Sequence, residues 1–152
     1  MAHIHEQIDF TVVIYVVHKD RVLLINHREL SRWLPIGGHV QLNEETDQAL
    51  KRKINEECGL NVTIAGTKPD WSEADAYSLY TPAYMNIHKI DDQHRHIALV
   101  YFGRSDSDAV KEDPGEYSAY EWLTLPDLEA KKSDLRADVY FYAVEALQRL
   151  SS

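Results

Sequence analysis

From Ile8 to Val17 the run IDFTVVIYVV places β-branched and aromatic residues on both faces of an extended chain, which predicts a buried strand. HKDR (His18 to Arg21) is a polar turn, and VLLI (Val22 to Ile25) returns as a second strand. Pro35, Gly37 and Gly38 predict a tight loop, with Val40 and Leu42 continuing into a short strand. Thr46 is placed to cap a helix that carries Asp47 in its first turn and runs to about Cys58. Gly59 suits the left-handed position just beyond that helix. Leu60 to Ala65 predicts another strand, Lys68 to Ala76 a polar loop, and Tyr77 to Ile90 irregular strand structure interrupted by Pro82. IALVYF (Ile97 to Phe102) is a strong strand signal, and SDSDAVKEDPGEYS after it is a charged loop. YEWLTL (Tyr120 to Leu125) gives a last short strand, Pro126 opens a helical turn, and a final helix runs from about Asp134 to Leu150. In that helix Val139, Tyr142, Ala143, Ala146, Leu147 and Leu150 recur three and four apart. The order predicts an α/β fold, a mixed sheet with helices packed on both faces.

Composition narrows the class. With 152 residues, 44% of them hydrophobic and 10% aromatic, the chain suits a single domain over residues 1–152 with a real core. It shows no repeat, linker or low-complexity tract, and no apolar run of membrane-spanning length. MAHIHEQIDF lacks a basic segment followed by an apolar one, so no secretory signal is expected, and His3 and His5 are too sparse for a metal tract. One cysteine, Cys58, predicts a reducing, cytoplasmic setting. A formal net charge of −9 argues against a general nucleic-acid binder. It leaves room for a small phosphorylated ligand held locally by a metal or a few arginines.

The candidate chemistry lies on the helix of residues 46–58. By its period, Lys53, Glu56 and Glu57 share one side, next to an apolar stripe of Leu50, Ile54 and Cys58. Glu57 falls at the border of that stripe, where a carboxylate is costly without compensation. Glu56 crowds it. A hard divalent cation such as Mg²⁺ or Mn²⁺, which prefers oxygen ligands, relieves both problems. Glu44 arrives from the preceding loop, and Arg52, one turn before Glu56, is placed to orient it by an ion pair. On the helix alone a solvated face of i,i+4 ion pairs is the commoner reading.

The spacing around the helix shifts that balance. The stretch GGHVQLNEETDQALKRKINEECGL carries Gly38, Glu44, Arg52, Ile54, Glu56, Glu57, Gly59 and Leu60 at the intervals of the pattern G-x5-E-x7-R-E-U-x-E-E-x-G-U, where U is a bulky aliphatic. This resembles the Nudix box, and Lys53 is its one departure. RVLLINHRELSRWLPIGGHV before the box and YEWLTLPDL near the end also resemble segments of that family. The resemblance implies an α/β/α sandwich with a mixed sheet between helices. It also implies hydrolysis of a nucleoside diphosphate linked to another group, with Mg²⁺ or Mn²⁺ at Gly38, Glu44, Glu56 and Glu57, and leaves a homodimer open. In such chemistry the protein neutralises and aligns the pyrophosphate while a carboxylate activates water.

Lys53 stands where the family carries a glutamate that often ligates metal or acts as base. A unit charge pair about 6 Å apart is worth roughly 3 kcal/mol at an effective dielectric near 20, so the exchange weakens or relocates the metal unless the ammonium swings to solvent or to a substrate phosphate. Ala98, in HRHIALVYFG, occupies the strand position where many members carry a further acid. The base is then expected outside the helix. Arg52 and Glu56 are the catalytic candidates on the helix, and Glu112 and Glu116 in KEDPGEYS are the candidates beyond it, although solvated loop charge is the commoner role for such residues. His39 follows Gly38 and is the better histidine for a ligand, acid–base or substrate role. His94 and His96 alternate on one strand face and could ligate a metal, although a hydrogen-bonded or surface pair is the favoured reading. Arg28, Arg32, Lys53 and Tyr84 complete the substrate candidates, with a solvated surface role at least as common for the two arginines and a core role the commoner one for Tyr84. Tyr80, Trp33 and Trp122 can stack on a base, but aromatics more often serve the core. The competing function is a nucleotide-binding or sensing module without turnover.

Overall fold

The first strand, β1 (Ile8–His18), is the spine of the fold. In the computed structural model, which describes residues 5–152, β1 pairs in parallel with β9 (His94–Ser105) from Ile8↔Arg95 to Val17↔Arg104. His3 lies outside the described residues. On its other edge β1 changes partner midway. Its end pairs with β2 (Arg21–His27) at Val17↔Val22 and His18↔Arg21, whereas Thr11 to Ile14 pair with β4 (Ile36–His39). β2 diverges from β1 there and takes β3 (Arg32–Leu34) as a partner, with β10 (Tyr117–Leu123) on its far side. Beyond β9 lie β5 (Val62–Ile64) and β8 (Tyr84–Asp91), both antiparallel to it. A separate two-stranded hairpin joins β6 (Ser72–Glu73) to β7 (Ala76–Tyr77).

Alternation along β1 sorts the core into two layers. Val12, Ile14 and Val16 face α1 (Thr46–Glu57), where Ala49, Leu50, Ile54 and Cys58 close the layer. Tyr15 and Val17 face α3 (Ala137–Leu150), which buries Val139, Tyr142, Ala143, Ala146 and Leu147 against Val100 and Phe102 of β9. The short α2 (Leu125–Ala130) adds Leu128 to this second layer. The mixed sheet between helices is therefore as the sequence predicts. No helix among the described residues is long and apolar enough to cross a membrane.

Several local expectations change. Gly37 and Gly38 belong to β4 rather than to a loop, and the strand ends at His39, before Val40 and Leu42. At Gly37 a Cβ would lie 2.4 Å from the Val12 carbonyl oxygen and 2.7 Å from Val13 Cγ1. A side chain there would separate β4 from β1, so the glycine marks close approach and not only a turn. Gly37→Ala is expected to cost about 1–3 kcal/mol, the usual penalty of overpacking, read as a lower urea midpoint with an unchanged slope. The N-cap of α1 is Glu45, not Thr46. Its carboxylate accepts the Gln48 N–H, and the Gln48 side chain accepts the Glu45 N–H at 3.1 Å. The polar stretch before Ala76 holds the small hairpin, and regular β8 begins only at Tyr84, after Pro82. A 3-10 turn at Lys132–Asp134 delays α3 to Ala137.

Candidate active site

Arg52 organises the polar end of α1. Its Nε donates to Glu44 Oε2 at 2.8 Å and its Nη2 to Glu44 Oε1 at 3.0 Å, a two-pronged pairing that brings the loop before the helix onto the helix. The same Nη2 donates to the His39 carbonyl at 2.9 Å. Nη1 reaches Glu56 at 3.4 and 3.5 Å. Glu44 also accepts the Gln41 N–H at 3.0 Å. The Arg52 hydrogen bond, ahead of every other cause, holds the Glu44 carboxyl below its ordinary range. One guanidinium thus ties together β4, the connecting loop and the helix.

Lys53, on the next position, is not a surface lysine. Only 8% of it is exposed, because its stem packs against the Cα of Gly38, where a Cβ would meet Cε at 2.8 Å and Nζ at 3.2 Å. The ammonium lies 3.5 Å from Glu56 Oε2 and 3.8 Å from Glu57 Oε2. Glu57 is 2% exposed and accepts the Gly37 N–H at 2.9 Å. Burial pushes its carboxyl up to about 7, against the pull of Lys53 and of the Gly37 hydrogen bond; the charges of Glu116 and Asp113 push the same way as burial. A carboxyl so placed calls for a cation beside it, and the chain supplies one of its own.

That ammonium also answers whether these residues suit a divalent ion. The carboxylates of Glu56 and Glu57 converge on one cation, and an all-oxygen set suits Mg²⁺ or Mn²⁺. Lys53 is the cation that stands in that place, 3.5 Å from Glu56 and 3.8 Å from Glu57. Glu44, paired on both oxygens with Arg52, acts in this arrangement as a support for the arginine.

A pocket of about 510 Å³ opens where β2 and β3 part from β1 and β4. Gly38, His39, Arg32, Arg52, Lys53, Glu57, Glu116 and Ala98 all line it, so most of the sequence candidates come together. Ala98 is buried in its wall, opposite Thr11 in the β1–β9 ladder, and offers no acid there. Glu116 faces the pocket, while Glu112 is exposed and does not line it. Arg28 donates to the Pro114 carbonyl at 2.8 Å and to the Tyr117 carbonyl at 3.5 Å, which fastens the loop that carries Glu116 instead of lining the pocket. Tyr84 lies outside the lining too. Its ring packs on Phe102, Phe141 and Tyr142, and its hydroxyl pairs with Glu145 and accepts from Arg149 at 2.8 Å. Trp33 and Tyr80 sit beneath Lys131 and Lys68, and Trp122 donates to the Asp108 carbonyl.

The residue missed in the sequence is Asp9, 1% exposed. Its signal was a lone acid within IDFTVVIYVV. Asp9 stands opposite His96 in the β1–β9 ladder, and its Oδ2 lies 3.3 Å from His39 Nε2 and 3.2 Å from His94 Nε2. His94 and His96 are both buried, so they are not a surface pair. Burial, then the neighbouring His39, His88 and His94, pushes His96 down to about 4.

Comparison with known proteins bears on the family and the fold. A family model described as NUDIX domain matches residues 7–143. The RNA pyrophosphohydrolase of Gluconacetobacter diazotrophicus is 27% identical over 122 residues, covering 78% of this chain and 72% of that protein. The m7GpppN-mRNA hydrolase of Danio rerio is 28% identical over 129 residues, and the match spans 76% of this chain but 41% of that protein. A solved NUDIX-family hydrolase from Clostridium perfringens superposes with a TM-score of 0.81 at 30% identity, over 94% of this chain and 98% of that one. The MutT protein from Methanosarcina mazei Go1, at 19% identity and TM-score 0.70 over 97% of each chain, shares the fold.

Proposed function

The chain belongs to the Nudix hydrolase family, and from that premise we propose that it is a divalent-metal-dependent pyrophosphohydrolase acting on a nucleoside diphosphate linked to a second group. The observation that carries the proposal is the junction of Glu44, Arg52, Glu56 and Glu57 with the Gly37–Gly38 strand, beside a pocket of about 510 Å³. That volume is in the range of small-ligand sites, and Arg32, Arg52, Lys53 and Arg136 supply cations around it. Mg²⁺ or Mn²⁺ held by Glu56 and Glu57 would neutralise the pyrophosphate. Arg52 keeps Glu56 and the His39 carbonyl in register while this happens. Lys53, once displaced from the two carboxylates, has the reach to meet a substrate phosphate. Glu116 is the residue we assign as base, because it lines the pocket and its charge is felt at Glu57. The buried Cys58, the one cysteine in the chain, supports a cytoplasmic setting.

Release of phosphate or nucleotide from a panel of nucleotide sugars, dinucleotides and nucleoside triphosphates, in Mg²⁺ and in Mn²⁺, tests the activity. Folded protein without turnover on any of them would leave the second reading, a nucleotide-binding module, which Lys53 and Ala98 together favour; calorimetry would then show binding alone. Within an active protein, Glu116→Gln is expected to lower kcat about 100-fold with KM little changed, the size of a lost general base. Glu112→Gln should leave kcat near its starting value. Equal losses in the two variants would remove Glu116 from the mechanism.

A further inference from the structure

Three strands deliver four metal-binding side chains to one spot on the α3 side of the sheet. β1 brings Asp9, β9 brings His94 and His96, and β4 brings His39, opposite Thr11 two residues along from Asp9. Period-two alternation keeps His94 and His96 on one face, and the parallel ladder sets Asp9 against His96. All four are at most 8% exposed. The ligating atoms of Asp9, His94 and His96 lie within 4.8 Å of one another. His39 Nε2 joins them at 3.3 Å from both Asp9 Oδ2 and His96 Nε2.

The hydrogen bonding on the outer side of this group has a consequence for the inner side. His94 Nδ1 lies 2.9 Å from the Glu6 carbonyl, which can only accept, so Nδ1 carries the hydrogen. A neutral His94 then presents the Nε2 lone pair to Asp9 Oδ2 at 3.2 Å. His39 and His96 approach each other through their Nε2 atoms at 3.3 Å. These imidazole nitrogens and the Asp9 carboxylate are thus close enough to share one metal ion. A carbonyl that fixes the imidazole tautomer from behind is the usual support of a metal-bound histidine. Asp9 has a support as well, since its Oδ1 accepts the His5 N–H at 2.7 Å.

We propose that Asp9, His94 and His96, with His39 as the fourth donor, form a binding site for a transition-metal ion of the Zn²⁺ class. Imidazole nitrogens with one carboxylate suit Zn²⁺, Co²⁺ or Ni²⁺, whereas Mg²⁺ prefers an all-oxygen shell. The site's donors are other than the α1 carboxylates, although His39 and His96 line the same pocket as Lys53 and Glu57. It is linked to them through His39, whose carbonyl accepts from Arg52. An ion there fixes the end of β4 and so the backbone under Lys53. The proposal does not depend on the hydrolase reading, because it concerns binding and not turnover.

The test is a Zn²⁺ titration of chelator-treated full-length protein against a chromophoric competitor, together with the visible spectrum of the Co²⁺ form. The expected result is one ion per chain with a dissociation constant below about 1 μM, unaffected by excess Mg²⁺. His94→Ala, His96→Gln and Asp9→Asn should each weaken binding by at least about tenfold, while Glu56→Gln leaves it unchanged. X-ray absorption on the unaltered Zn²⁺ form gives a readout that needs no variant, with imidazole scattering beyond a four-coordinate nitrogen and oxygen shell. Absence of stoichiometric binding would overturn the site and leave a proton-bridged cluster. So would loss of binding in Glu56→Gln, or an absorption spectrum without imidazole.

Discussion

Lys53→Glu is expected to raise Mn²⁺ affinity at the α1 carboxylates by about ten- to a hundredfold, and turnover in Mg²⁺ should rise with it. The ammonium sits 3.5 and 3.8 Å from the carboxylates that would hold the ion, so it occupies the ion's place and repels what remains of its charge. Removing one positive charge and adding a negative one changes the local balance by two units. Each unit at about 6 Å is worth roughly 3 kcal/mol at an effective dielectric near 20, before screening by solvent and salt. Even a third of the two-unit total, about 2 kcal/mol, is more than tenfold in affinity. The exchange also completes the box. Its cost falls on the metal-free protein, where the introduced carboxylate would crowd the buried Glu57 without a counter-ion. The variant should therefore melt lower than the natural protein in chelator and recover in Mn²⁺, so a thermal scan with and without the ion reads the effect independently of catalysis. A fall in both affinity and turnover would assign Lys53 to the working site as a phosphate contact.

Glu56→Gln should separate catalysis from folding. Its side chain is 46% exposed, and its contacts with Arg52 and Lys53 are all 3.4 Å or longer. Surface ion pairs of this kind contribute little, about 0–1 kcal/mol, so the melting temperature should move by no more than a few degrees. The loss in kcat/KM should be at least about 100-fold, since the substitution removes one of the two carboxylates proposed to hold the ion that would neutralise the developing charge. A stable variant that keeps most of its activity would show that the ion is held elsewhere. The Zn²⁺-class site around Asp9 would then be the first place to look.

The box was legible because it is a long, gapped constraint: Gly38, Glu44, Arg52, Glu56 and Glu57 have to keep their intervals for the strand, loop and helix to meet. The sheet between helices was legible for a similar reason, since apolar residues on both faces of β1 call for cover on each side and periods three and four in α3 dictate one buried face. What could not be read was contact between distant segments. Lys53 looked free to reach solvent, but the missing side chain at Gly38 gives its stem a berth and buries it. Tyr84 looked available to a ligand, yet α3 claims its ring. Arg28 looked like a phosphate contact, and the loop after Asp113 takes up its donors. The Asp9 cluster was hidden most completely as a whole, because its members are spread from residue 9 to residue 96 and meet only through the parallel β1–β9 and antiparallel β1–β4 ladders, which no local pattern announces.

The change of partner along β1 has a consequence for how such a chain can diversify. The part of β1 that pairs with β4 sets the strand on which α1 packs in a fixed relation to the rest of the sheet. The strands that part from it, β2 and β3 with the turn between them, form the other wall of the pocket through Ile25, Leu30 and Arg32. Insertions and substitutions in that turn can reshape what the pocket admits without shifting the register of the box. New specificities are thus reachable by changes in one wall, while the reaction machinery is inherited intact on the other.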